Sequence, residues 1–272
     1  MKEIYEITYG GYTAQAKAFI IAQQLDGMQM PPRPMIVICP GGGYWMVSDR
    51  EADPVAERFN AAGCNCIVLR YTTLTNDPSV RYPVALMQLV KTVAFAREKA
   101  AEWNTDPNRV FVCGFSAGGH LAASLGAFWN SDLIRQEVGD PEKCRPNGQI
   151  LCYPVLTSGP YAHRDSFINL LGAEAPEDLV QQMSLENQIS QDTPPTFLWH
   201  TMDDSCVPVE NSMMMAANLH RAGIPVEMHL YEKGWHGLSL CDASTAHCEG
   251  QIMPDCAGWF DLAVRFVKRL NA

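Results

Sequence analysis

The chain is poor in charge, and poorest in basic charge. Asp, Glu, Lys and Arg make up 18% of its 272 residues, and 20 Lys+Arg stand against 30 Asp+Glu for a formal net charge of −10. So small a charged fraction excludes long disordered tails and extended coiled coils. The negative sign repels polyanions at long range and no basic stripe offsets it, which excludes nucleic acid as the main partner. No uncharged apolar run approaches the ~18 residues of a membrane span. At the N-terminus Glu3 and Glu6 interrupt any apolar stretch of the secretory kind, so a cytoplasmic protein is expected. Internal repeats, low-complexity tracts and linkers are missing too, which points to one domain over residues 1–272.

Cysteine is not scarce: there are ten. Without an export signal they are expected as reduced thiols. Cys39, Cys66, Cys113 and Cys152 sit in apolar stretches, where Cys behaves as a small hydrophobe. Cys241, His247, Cys248 and Cys256 cluster near the C-terminus but lack the paired C-x2-C spacing of a zinc site. Neither a metal nor a cofactor is expected.

What is present is an alternation of short apolar runs with longer helical patterns, the signature of a parallel α/β sheet. Met35 to Cys39 and Cys66 to Leu69 read as strands buried on both faces. Arg109 to Cys113, Ile150 to Tyr153, Thr196 to Trp199 and Val226 to Tyr231 continue the series. Helices are expected over 51–62, 82–103, 117–128, 210–221 and 255–270. Residues 155–193 break the rhythm with Gly, Pro, Asn and Gln and read as a cap or insertion over the sheet.

The most informative stretch is Cys113-Gly114-Phe115-Ser116-Ala117-Gly118-Gly119-His120, a G-x-S-x-G between an expected strand and an expected helix. A serine standing proud of a sheet needs a very tight turn, which Gly114 and Gly118 permit. The following helix aims its first amides at the hydroxyl, so Ala117 N–H can donate to a developing oxyanion. Pro40-Gly41-Gly42-Gly43-Tyr44 follows an earlier strand, where a second donor belongs. No G-K-[ST] follows, which argues against a phosphate loop. Pro40 has no N–H, so Gly42 and Gly43 are the expected donors, with Tyr44 as a substitute.

An activated serine needs a base and the base an orienting carboxylate. Asp203 and Asp204 follow one strand and His236 follows the next. Asp204 is preferred because the D-x-x-V-P spacing lets Val207 and Pro208 fix the turn, leaving Asp203 to hydrogen-bond the loop. His236 lies between glycines in a loop, in the required chain order. His120 reads as structural support in a helix, His163 and His247 as surface residues, and His220 as a polar helix residue.

Together these residues resemble the serine α/β-hydrolase superfamily, and more narrowly the small bacterial esterases related to acetylxylan and feruloyl esterases. The resemblance also runs through Leu69-Arg70-Tyr71, Arg81-Tyr82-Pro83 and Asp192 to Phe197. It implies a mostly parallel sheet with helices on both faces and a small cap, with Ser116 as nucleophile, Asp204 as acid and His236 as base. Pro40 stands where the hormone-sensitive-lipase branch carries His, which favours the carbohydrate-esterase branch. The expected activity is hydrolysis of a short acyl ester, acetyl first, on xylo-oligosaccharides or similar sugars, with a feruloyl ester as the alternative. Tyr44, Trp45 and Trp235 flank the motifs and offer flat faces to a sugar or aryl group. A homo-oligomer is compatible with all of this. A peptidase of the prolyl-oligopeptidase kind shares the serine and histidine but usually carries a large propeller ahead of the hydrolase, whereas here the glycine loop begins at Pro40. A non-catalytic receptor on this scaffold typically lacks a triad member, and all three are present.

Overall fold

The computed structural model describes residues 1–270. Ten strands are present among them: β1 (Lys2–Tyr9), β2 (Tyr12–Phe19), β3 (Gln24–Leu25), β4 (Met28–Gln29), β5 (Arg33–Cys39), β6 (Asn65–Arg70), β7 (Thr105–Phe115), β8 (Gly148–Cys152), β9 (Thr196–Thr201) and β10 (Val226–Tyr231). Eight of them form one sheet in the order β1-β2-β6-β5-β7-β8-β9-β10, and β3 and β4 pair separately. The run from β6 to β10 is parallel, while β1, β2 and β6 pair antiparallel. The chain leaves β5 for β6, then crosses back over β5 to β7. That reversal opens a crevice at the carboxyl ends of β5 and β7, the place where sheets of this kind hold ligands.

Strand residues alternate between two cores because side chains leave a strand on opposite faces. Met35, Val37 and Cys39 of β5 face one core, and Ile36 and Ile38 the other. The first core lies under α2 (Val84–Glu98), α3 (Ala117–Phe128) and α7 (Glu210–Arg221). The second lies under α1 (Asp53–Ala61) and α9 (Trp259–Arg269), where Trp259 stacks on Trp199 at 5.2 Å. The remaining helices are α4 (Asp132–Val138), α5 (Arg164–Leu171), α6 (Glu177–Gln182) and α8 (Pro254–Ala257). None among the described residues is long and apolar enough to cross a membrane. All ten cysteines are free.

Several boundaries differ from expectation. The helix expected over 82–103 stops at Glu98, and the buried Trp103 lies in turns beyond it. The strand expected over 109–113 begins at Thr105, where it pairs with Arg33 across an irregularity. The closing helix is divided, α8 ending at Ala257 and α9 starting after Gly258. Residues 155–193 contain α5 and α6, and Phe167 and Met183 pack there with Val155 and Val207 in a small cluster of their own.

Candidate active site

Ser116 occupies the turn between β7 and α3 with φ 52° and ψ −120°, a left-handed backbone that non-glycine residues rarely adopt. Its amide donates to Cys152 O at 3.0 Å and its carbonyl accepts from Val155 N at 3.1 Å, so the strained turn is held from both sides. The glycines around it are dictated by contact. A Cβ on Gly114 would run into the Gly118 carbonyl, and one on Gly118 into the carbonyls of Cys39 and Pro40. The first contact lies within the elbow turn, and the second joins the elbow to the glycine loop.

Asp204 and His236 come from the loops after β9 and β10. Ser116 Oγ lies 2.8 Å from His236 Nε2, and His236 Nδ1 lies 2.7 Å from Asp204 Oδ2. Asp204 Oδ1 accepts the amides of Cys206 and Val207, each at 2.9 Å. Burial alone would raise the Asp204 carboxyl. The hydrogen bonds from His200 and His236, the His236 charge and the Val207 amide outweigh it and hold the carboxyl well below the usual carboxylate range. Asp203 instead accepts the Gly234 amide at 2.7 Å, tying the two loops together.

The glycine loop folds back on itself through Trp45 N and Met46 N, which donate to Gly42 O at 3.0 and 3.1 Å. Gly42 sits at φ 121°, and a Cβ there would strike the Met46 carbonyl. The Gly41 amide is committed to Glu51 Oε2 at 2.8 Å. The amides of Gly42, Gly43 and Ala117 have no acceptor among the described residues. With Ser116 and His236, Gly42 and Gly43 line a cleft of about 610 Å³. No three His, Cys, Asp or Glu side chains converge on a metal-sized point among the described residues.

The aromatic expectations divide. Trp45 is exposed and lines the cleft. Tyr44 does not: it is 4% exposed, packs on Tyr71 and directs its hydroxyl to His120 Nδ1 at 2.9 Å, because the loop turns that side chain into the core. Trp235 is exposed but lies against Gly250 and is not among the residues lining the cleft. His163, expected on the surface, is half-buried in the cleft wall and bonded to Ser166 Oγ at 2.9 Å. Burial, then the neighbouring His236, lowers its pKa.

Three residues escaped the sequence reading. Glu51 is buried, and its Oε1 accepts the Tyr153 hydroxyl at 2.6 Å. That hydroxyl accepts Ser239 N–H at 2.9 Å, and the Tyr153 ring stands edge-on to His236. Glu51 therefore joins the glycine loop to the histidine loop. His200 is fully buried behind Asp204, with Nε2 2.9 Å from Val207 O and 3.3 Å from Asp204 Oδ2. Asn169 of α5 donates to Gly43 O at 2.8 Å, fastening the 155–193 segment to the glycine loop.

A family model described as BD-FAE matches residues 24–219. The chain belongs to the BD-FAE family. Among curated proteins, this BD-FAE chain is 36% identical to an endo-1,4-beta-xylanase B of Butyrivibrio fibrisolvens over 77% of its own length and 33% of the relative's. It is 31% identical to an acetylxylan esterase of Xylanibacter ruminicola, over 90% of its length and 50% of the relative's. It thus spans a third to a half of these relatives. Two solved structures share the α/β-hydrolase fold with it. One is an acetyl ester-xyloside bifunctional hydrolase from Caldicellulosiruptor lactoaceticus, with TM-score 0.79 and 34% identity over 94% of this chain and 88% of that one. The other is a carboxylesterase from Lactobacillus plantarum, with TM-score 0.87 and 27% identity over 98% and 97%. The mostly parallel sheet of the BD-FAE chain, flanked by helices on both faces, is that fold.

Proposed function

We propose that the protein is a serine carboxylic ester hydrolase that removes short acyl groups, acetyl first, from xylo-oligosaccharides or similar sugars. Residues 1–272 form one hydrolase domain, with 155–193 as its cap. The observation that carries the reading is the unbroken line of hydrogen bonds from Ser116 Oγ through His236 to Asp204, at 2.8 and 2.7 Å, in the cleft wall. Asp204 accepts a hydrogen bond from His236 Nδ1–H, which leaves Nε2 free to take the Ser116 proton as Oγ attacks the ester carbonyl. The carbonyl oxygen gains charge and is held by the amides of Gly42, Gly43 and Ala117, each worth about 3–4 kcal/mol at the transition state. The tetrahedral adduct collapses, and the sugar alcohol leaves with the proton from Nε2. Water then gives its proton to Nε2 and attacks the acyl-serine, and the adduct collapses to free the acid as Ser116 Oγ leaves with the proton from Nε2. The relatives named for acetyl esters of xylan and xylosides support the acetyl-sugar substrate. So do the polar side chains of His163, Asp165 and Asn169 along the cleft, which offer hydrogen-bonding groups to sugar hydroxyls.

A fluorophosphonate should label Ser116. Ser116→Ala should lower acetate release from acetylated xylo-oligosaccharides, and turnover of p-nitrophenyl acetate, by about 10³-fold or more. Labelling at another residue overturns the assignment. The exposed face of Trp45 on the cleft favours one second reading, a feruloyl ester. Turnover of p-nitrophenyl and feruloyl esters without acetate release from sugars selects it.

A further inference from the structure

We infer that a second groove beside the catalytic cleft binds the part of the sugar chain remote from the ester, so that the substrate is an oligosaccharide rather than a single acetylated sugar. The inference rests on the acetyl-sugar reading above and deepens it. The groove has a volume of about 440 Å³. Met46 lines both it and the catalytic cleft, so one ligand can pass over that side chain from one to the other.

The groove is built from elements fixed by hydrogen bonds. Thr13 and Gln15 come from β2, and Thr73, Thr75 and Asn76 from the turn after β6. That turn is fastened to the ridge, Thr75 N donating to Trp45 O at 2.9 Å and Leu74 N to Tyr44 O at 3.2 Å. Asn76 Oδ1 accepts both the amide and the hydroxyl of Thr73, each at 2.9 Å. Its Nδ2, and the whole Gln15 amide, have no partner among the described residues. The only charged side chains lining the groove, Arg70 and Asp49, pair with each other at 2.7 Å.

A trough lined by hydroxyls and amides and without net charge favours a neutral polyol over an anion, a cation or an apolar chain. The exposed Trp45 and Met46 beside it present apolar area to the C–H face of a sugar ring. With the acetylated residue over Ser116, the following residues cross this ridge and end among Gln15, Asn76 and the threonines.

The test separates binding from chemistry. Unacetylated xylotetraose and xylobiose are titrated into the protein by calorimetry, and into a Gln15→Ala/Asn76→Asp double variant, both positions being exposed and Asp keeping the acceptor for the Thr73 amide and hydroxyl. Xylotetraose should bind the wild type at least tenfold more tightly than xylobiose, and the double variant should lose most of that preference. The variant's turnover of p-nitrophenyl acetate should be unchanged. Equal binding of the two sugars, or a preference that survives in the double variant, overturns the groove. Acetate release is measured in parallel and bears on the activity alone. Binding of xylotetraose without acetate release from any sugar keeps the groove and sinks the acetyl-sugar activity. Acetate release without a preference for chain length does the reverse.

Discussion

At the scale of single residues, the site depends on buried polar groups held by specific partners. Glu51 illustrates the cost of removing one. Its carboxylate holds the Gly41 amide and the Tyr153 hydroxyl, and a truncated side chain leaves both buried donors without an acceptor. The glycine loop then loses the support that aims its next two amides, and misplacement on the ångström scale costs about 10²-fold in rate. Glu51→Ala should lower kcat for p-nitrophenyl acetate 10- to 100-fold with KM little changed, and Glu51→Gln, which keeps an acceptor, should recover part of it. A folded Glu51→Ala protein with wild-type kcat would show that the contact serves stability alone. His120 gives a pH prediction. Burial pushes it down to about 4, against the Met183 carbonyl bond, and it accepts the Tyr44 hydroxyl in the neutral form. Between the unfolded value of about 6.5 and the folded value, the unfolded chain binds a proton that the native state refuses. Stability is therefore complete above about 6.5 and falls as pH drops toward 4, by up to about 1.4 kcal/mol per pH unit. His120→Gln should flatten the fall in Tm between pH 7 and 5, and parallel curves for the two proteins would refute it.

At the scale of elements, the elbow and the glycine loop behave as one unit because they touch through backbone. A methyl on Gly118 meets the Cys39 and Pro40 carbonyls, and neither strand end can move without disturbing the sheet. Gly118→Ala should destabilise by about 1–3 kcal/mol, the usual cost of overpacking, and abolish most turnover. Gly258→Ala, which meets nothing within 4 Å, should leave Tm and activity near wild type. A Gly118→Ala protein with unaltered Tm would disprove the contact. The same scale explains what could be read in advance. The central strands were legible because β5, β6 and β7 are buried on both faces and leave continuous apolar runs. Helix 117–128 was legible as the small-residue run behind the elbow, and helix 210–221 from its stop before Gly223. The β1–β2 hairpin was not: Ile7 is the one buried residue of β1, and β2 packs through Ala14, Ala16 and Ala18, a poor strand former. The short α5 and α6 offer too few turns for a helical period to emerge. Ser116, Asp204 and His236 were nominated by motif, chain order and spacing. Glu51 and Asn169 carry no such mark, since Tyr153 and Gly43 lie 102 and 126 residues from them, and His200 is hidden as a polar residue inside a fully buried strand. Tyr44 misled because a place beside a motif does not say which way a side chain turns.

At the scale of the whole molecule, topology and charge act on the same crevice. The switch between β5 and β7 brings Gly42 and Gly43 beside Ser116, Glu51 and Asn169 fasten their loop there, and the molecule surrounds that crevice with a net charge of −10. Asp165 and Glu51 on the cleft are opposed by Arg50 alone among Lys and Arg. A neutral ester feels little of this field, while an anionic one is depleted near the surface at low salt. Raising ionic strength from 0.01 to 0.15 M shortens the screening length from about 30 to about 8 Å. Over that range kcat/KM for p-nitrophenyl acetate should stay level, and that for a p-nitrophenyl ester bearing a free carboxylate should rise several-fold. The same response in both esters would place the charge too far from the cleft entrance to sort substrates. A selective response would show the acidic surface acting with the uncharged groove beside Met46 to favour neutral acyl sugars over charged ones.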